Sequence, residues 1–245
     1  MASPARSFTH AGATLKVARR GTGEPVFVLI HGIGMGRSIF ADLASHLDDE
    51  GEVIAVDLPG YGEAPEPPRV LTMERTADLV AAYLRTRVDA PVVLVGHSMG
   101  AQVALEIAAR HPGSVARLVL IGPTVDPAAR TAPRQLARLL RDIAIENPRV
   151  IAVGAREYVR AGPHLRAKFR AMLVHRPEDV LSRVHAPTLV LRGEDDRVAT
   201  REWCQRVVAG LPRARLAEVP GHGHETMIRD AAPAARLIEQ FLGTD

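Results

Sequence analysis

The five residues Gly96-His97-Ser98-Met99-Gly100 follow the apolar run PVVLV and open the helical pattern AQVALEIAAR. Gly-x-Ser-x-Gly gains meaning in this strand–turn–helix setting. The turn is tight enough to push the serine into a strained backbone conformation, and small residues two places either side keep the neighbouring chain clear of it. The expected outcome is an exposed hydroxyl at the C-terminal end of a strand, with a helix N-terminus beneath it. Such a hydroxyl can attack a carbonyl, but only if a base takes its proton and N–H donors await the developing oxyanion. The donors are expected from His31-Gly32-Ile33-Gly34-Met35-Gly36, directly after the apolar run VFVLI. The N–H groups of Ile33 and Met99 are the assigned pair. A phosphate cradle is the rival reading of this loop, but no Lys-Ser/Thr follows and the spacing is not Gly-x-Gly-x-x-Gly.

An acid and a base must come from elsewhere. After the run PTLVL, the stretch RGEDDR offers Glu194, Asp195 and Asp196. Asp126, just past an earlier strand, reads as a turn or N-cap acid. The base is sought in VPGHGHETM, where His222 and His224 flank one glycine. The same pair could begin a metal site. That would need at least a third ligand, and neither His-x-His-x-Asp-His nor His-Glu-x-x-His occurs in the chain. No metal and no cofactor are expected.

The elements that must position these residues alternate. Thr14–Arg19, Val26–Ile30, Val53–Val56, Val92–Val95, Leu118–Ile121, Thr188–Leu191 and Arg215–Val219 read as strands. Helical patterns run over 38–48, 72–88 with Thr72 as N-cap, 99–110, 200–210 and 231–242. Strands alternating with helices of this length predict an α/β fold: a mainly parallel sheet covered on both faces. From Pro127 to His185 the rhythm breaks and only amphipathic helical pattern remains. In PRQLARLLRDI the apolar residues Leu136, Leu139, Leu140 and Ile143 recur at helical spacing. In HLRAKFRAML, Leu165, Phe169 and Met172 share a face. Residues 127–185 are therefore expected to be a helical insertion on a core formed by 1–126 and 186–245, not a separate domain.

Composition narrows the class. The 245 residues are 47% hydrophobic and 24% charged, as in a globular protein with a sizeable core. No apolar run reaches the ~18–20 residues of a membrane span. The N-terminus MASPARSFTH lacks a signal-peptide core, so a cytoplasmic protein is expected. The single cysteine, Cys204, excludes an internal disulfide framework and reads as a partly buried thiol. A net charge of +3 suggests nucleic acid, but the cations are almost all arginine, form no compact run, and aromatics make up only 4%. Nucleic-acid binding is not expected.

With these residues in view, the chain resembles the α/β-hydrolase superfamily, in the group with a helical cap between strands six and seven. The resemblance rests on HGIGMG, DLPGYGEAP at 57–65, GHSMG, LRGEDDRV at 191–198 and PGHGHE, in the family's order over nearly the whole chain. It implies an eight-stranded sheet and a nucleophile–acid–histidine order. It places the acid three residues after Gly193, at Asp196, with Asp195 as the fallback, and the base at His224, with His222 a loop neighbour. His97 would orient or pack. The implied activity is that of a serine hydrolase acting on a carboxylic ester or thioester through an acyl-enzyme. The resemblance equally allows a C–C bond hydrolase or an acyltransferase, and a non-catalytic ligand receptor is the reading from another class.

The expected partner is a small-molecule acyl substrate. Residues 127–185 carry eleven arginines and one lysine against five acidic residues. That excess could be solvated helix faces or a basic entrance attracting an anionic substrate. Candidate pocket residues are Met35, Phe40, Tyr158, Phe169 and Met172, with Ile39 and Met99 beside them; each taken alone is equally a core residue.

Overall fold

The computed structural model describes residues 4–143, 164–228 and 230–243. Eight strands form one sheet: β1 (Arg6–His10), β2 (Ala13–Arg20), β3 (Val26–Ile30), β4 (Glu52–Asp57), β5 (Val92–His97), β6 (Val115–Ile121), β7 (Thr188–Gly193) and β8 (Ala214–Val219). Their order is β1-β2-β4-β3-β5-β6-β7-β8. The pairs β1/β2 and β2/β4 are antiparallel, and every pair from β4/β3 to β7/β8 is parallel. The chain order reverses around β3, which lies between β4 and β5. Ligands of open parallel sheets bind at such a switch point, beyond the carboxyl ends of the strands. Both glycine-rich motifs stand there, one after β3 and one after β5.

Continuous apolar runs make the central strands because both faces are covered. Along β3, Val26, Val28 and Ile30 enter one core while Phe27 and Leu29 enter the other. The first core packs under α2 (Met73–Arg87), α3 (Met99–Arg110) and α6 (Arg201–Gly210). The second packs under α1 (Ala41–Leu47) and α7 (Ala232–Leu242). The Thr72 hydroxyl caps α2 by accepting from Arg75 N–H, a contact worth about 1 kcal/mol. Between β6 and β7 the described residues hold α4 (Ala132–Ile143), α5 (Leu165–Val174) and short 3-10 turns, with no strand. The side chains on the apolar face expected of α4 lie outside the described residues. On α5, Met172 is buried while Leu165 and Phe169 pack half-buried on the first core. None of the described helices is long and apolar enough to cross a membrane.

The sequence gives no sign of β1. In RSFTH only Phe8 is apolar, and the strand is an exposed edge. A two-residue hairpin through Ala11 (φ 48°) and Gly12 (φ 77°) ties it to β2, the positive-φ pair that a tight hairpin needs.

Candidate active site

Ser98 occupies the turn between β5 and α3 with φ 53° and ψ −115°. A non-glycine residue held there stores about 1–3 kcal/mol of strain, so the surroundings must over-determine it. They do so on both sides. Ser98 N–H donates to Ile121 O at 2.9 Å, and Ser98 O accepts from Ala101 N–H at 3.0 Å. A Cβ on Gly100 would stand 2.2 Å from Ile30 O, so only glycine lets α3 press this closely on the end of β3. Ser98 keeps 7% of its surface exposed. Met99 is the first residue of α3, where helix geometry leaves the N–H without an intrahelical acceptor.

The loop after β3 arches over this turn. A Cβ on Gly32 would lie 3.1 Å from Ser98 Cβ, which places the backbone entering Ile33 beside the nucleophile turn. His31 fixes the loop: its Nδ1–H donates to Gly32 O at 2.8 Å, and its Nε2 accepts from Leu58 N–H at 3.1 Å. The DLPGYG stretch thereby acts as a strut. Its buried Asp57 accepts from Arg37 N–H at 2.6 Å and Glu63 N–H at 3.0 Å.

His224 and Asp196 are brought together. His224 Nδ1–H donates to Asp196 Oδ2 at 2.9 Å, with side chains only 4% and 0% exposed. Asp196 Oδ1 accepts from Val198 N–H and Ala199 N–H, both at 2.8 Å. These bonds replace the water that a buried carboxylate loses, without which burial would cost several kcal/mol. Buried Arg192 braces the same loop through Ala199 O at 3.0 Å and Asp196 O at 2.9 Å. Asp195 is exposed, with its N–H on His222 O. His222 turns its Nδ1–H back to Pro220 O at 2.9 Å. Asp126 is a cap: it accepts from Ala128 N–H and pairs with Arg138 and Arg206. Burial pushes its carboxyl up, but that hydrogen bond and the two guanidiniums outweigh burial and hold it below the ordinary value.

His97 is fully buried, and its Nε2–H donates to His224 O at 3.2 Å. Burial first, and the neighbouring His224 second, hold it well below the usual imidazole range. A neutral ring that steadies the backbone of His224 is its place. Cys204 is buried, which raises its thiol far above the ordinary range, so it offers no nucleophile.

Gly122, at the end of β6, has φ +51°, and a Cβ there would meet His224 Cε1 at 2.8 Å and Nδ1 at 2.9 Å. Gly122→Ala is expected to displace the imidazole, cutting kcat about 100-fold while costing only about 1–2 kcal/mol of stability through its positive φ. Steady-state kinetics beside a urea melt check this. An unchanged kcat would show that the ring is not confined there.

The substrate-side expectations fare less evenly. Phe40 has no exposed surface and fills the second core with Phe27, Leu43 and Leu47, so it is a core residue and no pocket wall. Met35 is half-buried against that core. Met172 is buried in the first core, and Tyr158 lies outside the described residues. A narrow cavity of about 20 Å³ opens beside Met99, lined also by Tyr61, Leu71, Thr76, Val103 and Lys168. Lys168 was not foreseen. It is 3% exposed, donates to Gly60 O and to Glu66 Oε1 at 2.6 Å, and stands 4.5 Å from the Tyr61 ring centroid. Its one signal was being the single lysine in an arginine-rich insertion. Arg130, Arg138 and Arg176 are likewise paired with carboxylates.

The sequence profile of the Alpha/beta hydrolase family matches residues 27–240. The chain belongs to that family. It is 26% identical over 261 residues to the AB hydrolase superfamily protein YisY of Bacillus subtilis (strain 168), covering 95% of this chain and 97% of that one. It is 30% identical over 263 residues to the pimeloyl-[acyl-carrier protein] methyl ester esterase of Methylococcus capsulatus, covering 95% and 99%. Among solved structures, a thermophilic esterase from Thermogutta terrifontis superposes with a TM-score of 0.83 at 25% identity, covering 98% of each chain. This α/β-hydrolase is thus of the esterase- and lipase-like kind.

Proposed function

We propose that this protein is a serine hydrolase that cleaves a carboxylic ester through an acyl-enzyme. The observation that carries the reading is the buried His224–Asp196 hydrogen bond, set at the same sheet edge as the strained Ser98 turn. Ser98 Oγ attacks the carbonyl carbon as His224 Nε2 accepts its proton, and Asp196 stabilises the imidazolium without itself being protonated. The N–H groups of Met99 and Ile33 hold the oxyanion. His224 then returns the proton to the leaving alkoxide, and water, activated by the same imidazole, releases the acid. No cofactor enters the scheme. The helical insertion expected over residues 127–185 is assigned the part of a cap. Among the described residues, Arg130, Arg138, Lys168 and Arg176 pair with carboxylates, which offsets part of the positive charge of 127–185.

The relatives that are named esterases support an ester over other acyl compounds. The test is a fluorophosphonate probe with Ser98→Ala as control, followed by a panel of aryl esters, CoA thioesters and vinylogous diketones. Covalent labelling at Ser98 with turnover of the esters is expected. Absence of an adduct would remove the enzyme reading, and turnover of the diketones alone would replace ester with C–C bond cleavage.

A further inference from the structure

A second cluster of reactive side chains lies away from the sheet edge, in the seam where the chain leaves α5 and packs on α2 and α3. Glu74 stands on the first turn of α2, Glu106 two turns into α3, and His175 caps the C-terminus of α5. One carboxylate oxygen of each glutamate and one ring nitrogen of His175 lie within 4.8 Å of one another. Glu106 and His175 are 2.8 Å apart, with side chains only 4% and 3% exposed, and Glu74 is half-buried. Along α3 the cluster is about 12 Å from Ser98, at 1.5 Å per residue, so nothing in the proposed reaction uses it.

Two features set this seam apart from an ordinary buried ion pair. Its polar atoms are not all satisfied: His175 Nδ1 and Gln102 Oε1 are buried without a hydrogen-bond partner. Gln102 sits one turn before Glu106 on the same face of α3, and its Nε2 donates to Met172 O in the cap. Buried polar atoms without partners are uncommon, and a bound ion or water is one of the regular ways in which they are satisfied. Three carboxylates also gather here, Glu74, Glu106 and the adjoining Asp78, and the Arg110 guanidinium is bidentate on Asp78 rather than on either glutamate.

We propose that Glu74, Glu106 and His175 form a binding site for a divalent transition-metal cation of the zinc or manganese type. An imidazole with two carboxylates suits these ions, whereas copper(I) seeks thiolates and calcium an all-oxygen shell. In tetrahedral geometry, bonds of about 2.0–2.2 Å set ligand atoms about 3.3–3.6 Å apart, so side-chain movement of up to about 1.5 Å closes the set. Binding needs a ring nitrogen free of its proton and therefore weakens as the pH falls. Its structural consequence is a tie between the end of the cap helix and the two helices that follow β4 and β5.

The test uses the whole chain after EDTA treatment, titrated with Zn²⁺ by calorimetry and with Co²⁺ by visible absorption. One ion per chain, a visible ligand-field band and a Tm that rises with Zn²⁺ are expected. His175→Ala should weaken binding at least about 100-fold, more than an outer-shell partner costs. Glu74→Gln, at a half-buried position that tolerates change, should weaken it at least about tenfold. Fluorophosphonate labelling of Ser98 in each variant reports that the fold persists. No saturable uptake by the wild type below about 1 mM, a free energy of only about −4 kcal/mol, overturns the proposal. Unaltered affinity in Glu74→Gln overturns it equally.

Discussion

His224→Ala is expected to lower kcat by about 10⁶-fold, as loss of the histidine does in a serine protease, while His222→Ala changes it less than about tenfold. The factor corresponds to about 8 kcal/mol of barrier, far more than any packing change at an exposed loop could produce. The asymmetry follows from where each ring is held. His224 is 3% exposed and engaged by Asp196 at Nδ1, which leaves Nε2 as the nitrogen able to take a proton from Ser98. His222 donates to its own loop at Pro220 O, and among the described residues no carboxylate is paired with it. The double variant Ser98→Ala/His224→Ala should be little worse than either single change, because neither residue works without the other. Steady-state rates on an aryl ester, with labelling by the fluorophosphonate probe, measure all three. A His222→Ala defect matching that of His224→Ala would mean that the base was assigned to the wrong histidine.

Much of this arrangement was legible because the chemistry is written in turns. Gly-His-Ser-Met-Gly between a strand and a helix demands the positive φ found at Ser98, and glycine at 100 is required by the 2.2 Å approach to Ile30 O. Strands buried on both faces announce themselves as unbroken apolar runs, which is why VFVLI and PVVLV were placed within two residues of their observed ends. What escaped was whatever depended on partners distant in sequence. RSFTH has no apolar alternation, and its strand exists because β2 offers an edge. Phe40 carries a pocket-like side chain in a loop-to-helix stretch, yet the second core claims it. Beyond its being the insertion's single lysine, nothing in the sequence singles out Lys168, whose water is replaced by Glu66, Gly60 O and the Tyr61 ring together. The choice between Asp195 and Asp196 is of the same sort. The two residues are alike in type and adjacent, and only the two backbone N–H groups beyond them aim one carboxylate inward.

Those N–H groups also decide what Asp196→Asn does. Asn and Asp have the same shape, so the change should cost little packing. Val198 N–H and Ala199 N–H both donate to Oδ1, and an amide must keep its oxygen there because its NH₂ has nothing to accept with. The NH₂ is then forced toward His224 Nδ1 and donates to it. Nδ1 becomes an acceptor, the ring's proton moves to Nε2, and Nε2 can no longer take the proton of Ser98. A fall of about 10⁴-fold in kcat at neutral pH is expected, with KM nearly unchanged, as for the same change in a serine protease triad. The rate should recover in part at high pH, where hydroxide or an ionised serine bypasses the base. Asp195→Asn, on an exposed side chain, should leave kcat within about threefold, since surface changes away from such networks have small effects. Equal losses in the two variants, or an Asp196→Asn enzyme of nearly full activity, would show that the tautomer of His224 is not set at this carboxylate.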